Sequence, residues 1–119
     1  MTTKQVWLAG TSFYDVGRFK EGREFPVGTP LVLEREATNK YDPNAVLVFL
    51  DASALDERGY EIPEAAAGID RYKLGHVPAK DGTAAWLAPL MDAGKTPTAT
   101  FERHGPNTGM QITIEIDGG

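Results

Sequence analysis

Apolar and polar positions alternate over several short stretches of this chain, and the alternation is mostly that of strands. "QVWLAG" (5–10) is a short β-like run closed by Gly10. "TPLVLERE" (29–36) sets Leu31 and Leu33 on one side and Val32 and Glu34 on the other, the period of two that a half-buried strand requires. "AVLVFL" (45–50) is nearly all apolar, as in a strand covered on both faces. "RYKLGHV" (71–77) returns to alternation, with Tyr72, Leu74 and His76 on one face and Pro78 as its end. "TATFERH" (98–104) and "MQITIEID" (110–117) are two more strands around a turn, "GPNTG". Only "AKDGTAAWLAPLMDAG" changes period. Trp86, Leu87, Leu90 and Met91 recur at helical spacing, Asp81 or Thr83 is placed to cap the start, and Gly94 to stop the end. Pro89 lies inside this run, which predicts a kink or a late first turn.

The sum is mainly β: a small antiparallel barrel of five to six strands, OB-like or SH3-like, with one or two short helices. A chain of 119 residues supports one such domain, spanning 1–119. Residues 51–70 read as an excursion from it, broken by Gly59, Pro63 and Gly68, with a helical turn near Pro63–Ala67 and no place in the core. Residues 11–22 read as a polar, glycine-punctuated connection.

Composition adds limits. Apolar residues at 41 % and charged residues at 24 % exclude wholesale disorder. No apolar run reaches the roughly 20 residues of a membrane span, so no membrane role is expected. Without cysteine there is no disulfide, thiolate metal site or cysteine nucleophile, which fits a cytoplasmic location. The net charge of −5 argues at first against a nucleic-acid partner. Its placement changes the picture: six acids and one base between Asp51 and Asp70 account for all of it, so the remaining surface is balanced.

Little in the chain suggests catalysis. There are two histidines, His76 and His104, and no zinc-protease helix motif, phosphate loop or nucleophile elbow. His76 reads as a strand histidine at the barrel rim and His104 as a solvated residue before a turn. Glu34 and Glu36 read as one solvated strand face. No catalytic residue, metal or cofactor is expected. Binding has better candidates. In "TNKYDPNAVLVFL" (38–50) a Tyr-Asp pair, Tyr41 and Asp42, sits in a turn that needs Asn and Pro but needs no ring beside a carboxylate. Read alone, the pair serves the loop itself, with Tyr41 packed on the barrel. Phe13 and Tyr14 form a second ring pair, and Arg35, Lys40, Lys73, Lys80 and Arg103 are candidate cations. Rings and cations together are what single-stranded nucleic acid requires, bases stacking and phosphates pairing.

"GTSFY" (10–14), the string L-x-R-E-x-x-N-x-Y-D-x-N-A-V (33–46), "LGHVP" (74–78) and "AWLAPLMDAG" (85–94) occur in this order. Together they resemble the HIRAN domain, over about Val6 to Ile116. The family is found in some fork-remodelling ATPases and as stand-alone bacterial and phage proteins, and the stand-alone type is expected here. The resemblance implies a modified OB-like barrel that binds single-stranded DNA and captures its free 3′-hydroxyl, in DNA repair or replication-fork processing. It implies a non-enzymatic site built from Phe13, Tyr14, Arg35, Asn39, Lys40, Tyr41, Asp42, His76 and Lys80. Tyr41 would stack a base and Asp42 would receive the hydroxyl. The chain departs from the family pattern in Ser12, where Arg is common, in Lys40 and Ala79, and in Met110, where a ring is expected. An adaptor domain binding a protein partner through the acidic 51–70 segment is the alternative. That segment is also placed to repel DNA or cover a groove.

Overall fold

The structure is a computed structural model, and it describes residues 1–118. Six strands form where alternation predicts them: β1 Thr2–Trp7, β2 Pro30–Arg35, β3 Val46–Asp51, β4 Arg71–His76, β5 Thr98–His104 and β6 Met110–Ile116. All neighbours pair antiparallel, in the order β1-β6-β5-β2-β3-β4. Register shifts at Val48/Phe49 and at Phe101/Arg103 break the ladders at two points, and such irregularities bend and twist a sheet. Its outer strands meet. Beyond the end of β1, Ala9 exchanges two backbone hydrogen bonds with His76 at the end of β4, each 2.9 Å. The mainly β architecture with its edges joined agrees with the expected small barrel.

The seam is tight. A Cβ on Gly75 would lie 2.6 Å from the Ala9 carbonyl oxygen, closer than such atoms approach, so only glycine lets the two backbones come this near. The interior is filled by inward residues of every strand, among them Val6, Leu31, Val48, Leu74, Phe101 and Ile112. β3 is covered on both faces as its apolar run predicts.

Helix α2, Thr83–Asp92, follows Gly82 and buries Thr83, Ala84, Leu87 and Ala88. Asp81 bonds the Thr83 amide at 2.9 Å without being the capping residue itself. Pro89 and Ala85, the residue whose carbonyl loses its helical partner, are both exposed. Gly94 adopts φ +90°, and the Lys95 amide reaches back to the Leu90 carbonyl at 3.0 Å, an ending that needs a left-handed residue.

Two expectations are corrected. Residues 51–70 are not peripheral. They contain helix α1, Ala52–Asp56, and a 3₁₀ turn, Glu64–Ala66, and they send Ala54, Leu55, Tyr60 and Ala66 into the core. The Tyr72 hydroxyl donates to the Ala66 carbonyl at 2.6 Å. The charged positions stay outside because the segment turns after every few residues. Leu55→Ala should therefore cost about 2–5 kcal/mol, as for any fully buried leucine, measured by chemical denaturation; a peripheral residue would cost almost nothing.

The second correction is His104. It is half-buried, packed on Phe25 and Phe101 with ring centroids 4.9 Å from each, and its Nε2 accepts from the Phe25 amide at 3.4 Å. Phe19, from the polar-looking 11–22 stretch, packs edge-on against Phe25 and Tyr72 in the same aromatic group. Burial pushes the His104 pKa down, with Glu24 pulling weakly the other way. The unfolded chain thus takes up this proton at higher pH than the folded one. The stability involved is complete above the ordinary histidine range of about 6.5 and is lost as pH falls through the lowered folded value. Melts recorded from pH 7.5 downward should show this decline, and His104→Phe should flatten it.

Candidate nucleic-acid interface

The connection between β2 and β3 is organised by one side chain. The Asn39 side-chain oxygen accepts from the amides of Tyr41 (2.9 Å) and Asp42 (3.0 Å), while its nitrogen donates to Glu36 Oε1 (2.6 Å). Asp42 Oδ1 then accepts from the Asn44 amide at 2.9 Å. The base of the loop is closed by the Glu36 amide bonding the Ala45 carbonyl at 2.9 Å. These are the local bonds by which Asn and Asp build turns. Tyr41 is left on the outside, 91 % exposed, and not packed on the barrel.

The second wall comes from the segment after β1. Gly10 is left-handed at φ +71°, which starts the 3₁₀ turn Thr11–Phe13, with the Phe13 amide on the Gly10 carbonyl at 3.1 Å. That turn leaves Phe13 82 % exposed. Between the two walls lies an open cleft of about 290 Å³, and Phe13, Tyr14, Asn39, Tyr41, Asp42 and His76 all line it. Asp42 is half-exposed there. Apart from the Asn44 amide, its carboxylate has no hydrogen-bond partner among the described residues.

His76 stands at the floor. Its ring is 5.9 Å from that of Tyr14, and its buried Nε2 makes no hydrogen bond among the described residues, lying 3.5 Å from Glu36 Oε1. Glu36 is half-buried, a correction to its reading as solvated. The Asn39 hydrogen bond holds its pKa below the usual carboxylate value; burial opposes this, and His76 and Lys73 add to it. The spacing Glu36-x-x-Asn39, ending a strand and opening a turn, is the signal by which this pair could have been read.

The three remaining predicted residues stand apart from the cleft. Arg35 donates to both Asp92 oxygens and to the carbonyls of Ala45 and Pro43. Its guanidinium ties the outgoing limb of the loop to the end of α2. Lys40 is exposed beside a neighbouring hollow lined by Glu36, Thr38, Asn39 and Tyr41. Lys80 is exposed in the turn before α2, and it is Ala79 that lines the cleft. Met110 is fully buried. No residue of 51–70 lines the cleft, so the acidic segment does not cover it. Among the described residues no three His, Asp or Glu gather as a metal site, and no helix is long and apolar enough to cross a membrane.

The HIRAN domain family matches this chain over residues 2–117. No curated protein matches it. Two solved structures share the fold. The crystal structure of the HIRAN domain of human HLTF superimposes with a TM-score of 0.63 at 17 % identity, covering 96 % of this chain and 74 % of that one. A Lactobacillus plantarum protein superimposes with a TM-score of 0.61 at 20 % identity, covering 95 % of this chain and 93 % of that one.

Proposed function

The chain belongs to the HIRAN domain family, known for DNA binding, and from that premise we propose that it binds single-stranded DNA at a free 3′-hydroxyl end, without catalysis, in DNA repair or replication-fork processing. The observation that carries this reading is the cleft itself: two rings exposed at 82 % and 91 % stand on its walls, and the half-exposed Asp42 carboxylate lines it from the loop that holds Tyr41. Exposed rings supply sequence-tolerant stacking, about 1–3 kcal/mol per base. A carboxylate with an unused oxygen accepts a hydrogen bond from a terminal hydroxyl, and such charge-assisted bonds are about twice as strong as neutral ones. A phosphate at the same place would meet like charge. The acid therefore sorts strand ends from continuous strand, and the rings hold whatever base precedes the end.

Fluorescence anisotropy with oligonucleotides of one sequence tests this. Single strands ending in a 3′-hydroxyl should bind more tightly than duplexes and than single strands ending in a 3′-phosphate. Equal binding of the two ends would remove Asp42 from the role given to it. Absence of binding to every nucleic acid would favour the adaptor reading.

A further inference from the structure

Rings and acids alone make a poor grip on a polyanion, so a strand in this cleft needs a cation. Arg35 is consumed by the loop and Asp92. Arg18 is paired with Asp15, and Arg71 with Asp51. Lys4 lies over Trp86. Lys73 is different. Its backbone amide is fixed by Asp15 Oδ2 at 2.9 Å. Its ammonium stands 4.4 Å from the centre of the Tyr14 ring, one of the cleft's walls. Among the described residues it makes no ion pair. It is therefore a charge held against the Tyr14 wall by a ring face; it helps to hold the Glu36 pKa down, but among the described residues no carboxylate lies within ion-pair distance of it.

We propose that the Lys73 ammonium is the phosphate contact of this cleft, pairing with the phosphodiester next to the terminal nucleotide. The proposal rests on the strand-end reading above. It also divides the labour among the rings. A Tyr14 face covered by an ammonium is not open to a base, so Tyr14 positions the cation while Phe13 and Tyr41 do the stacking. Lys73 stands on β4, the strand that also supplies His76, with its ammonium against the Tyr14 wall and outside the residues that line the cleft itself.

The test is the salt dependence of binding to a 3′-hydroxyl single strand, measured for the unaltered protein and for Lys73→Gln, Lys73→Arg and Lys40→Gln. One lost phosphate contact lowers the slope of log affinity against log salt by about 0.7 on single strands. Lys73→Gln should show that decrement and weaken binding at low salt by roughly two- to fivefold, the range of one exposed charge contact. Lys73→Arg should restore the slope. The ratio of affinities for 3′-hydroxyl and 3′-phosphate ends should not move with Lys73→Gln, because Asp42 sets it. An unchanged slope in Lys73→Gln, or a decrement found in Lys40→Gln alone, overturns the assignment and leaves strand-end binding standing. If the unaltered protein binds no strand, both fall together. Thermal melts of Lys73→Gln matching the parent separate a lost contact from a lost fold.

Discussion

Replacing Asp42 by Asn is expected to lower the preference for 3′-hydroxyl over 3′-phosphate ends about tenfold or more. Asn keeps a side-chain oxygen for the Asn44 amide that Asp42 now satisfies at 2.9 Å, so the loop is retained. Two effects vanish with the charge. The hydroxyl loses a charge-assisted bond, a difference of about 1 kcal/mol from a neutral one. The terminal phosphate loses a repulsion of about 1–4 kcal/mol at 4 Å, the range between bulk water and a protein surface. Both change the ratio in the same direction, and 1.4 kcal/mol is about a factor of ten. Anisotropy titrations of both oligonucleotides against both proteins measure it. An unaltered ratio in Asp42→Asn would mean that some other group senses the terminus.

The largest effect on stability is expected at Gly75. An alanine there sets its Cβ 2.6 Å from the Ala9 carbonyl oxygen and 3.3 Å from the Thr11 side chain. The first of these is backbone and cannot swing aside. Relief comes only by parting the seam, with loss of the two Ala9–His76 hydrogen bonds. Overpacking costs about 1–3 kcal/mol and each net backbone bond about 0.5–1.5, so Gly75→Ala should lose roughly 2–6 kcal/mol in denaturant unfolding. Ligand binding should fall with it, since the seam joins the Gly10–Tyr14 wall to the His76 floor. Gly17→Ala is the control, since its added Cβ would meet nothing within 4 Å. A Gly75→Ala protein as stable as the parent would show that the strand ends tolerate separation.

Much of this was legible because it is periodic. β5 and the "MQITIEI" strand announce themselves by alternation, and the helix by its change of period. The loop was legible because Asn39, Asp42 and Pro43 are turn chemistry. What stayed hidden depends on contacts between distant positions. Leu55, Tyr60 and Ala66 sit in helix α1, in the link after it and in a 3₁₀ turn, so their common inward direction leaves no repeat in the sequence. Phe19 is hidden the same way in a polar stretch. Gly75 looks like any strand glycine until Ala9, sixty-odd positions away, lies against it. Among the lysines, no local feature marks the one that a tyrosine ring would hold in place.

Asn39 has already fixed the loop before anything enters the cleft: one amide side chain binds two successive backbone N–H groups and a carboxylate. An occupant therefore meets a surface in its final shape, and little conformational freedom is left to be surrendered on contact. Capture should proceed in a single kinetic step, with variants of the exposed rings altering residence time far more than the rate of encounter.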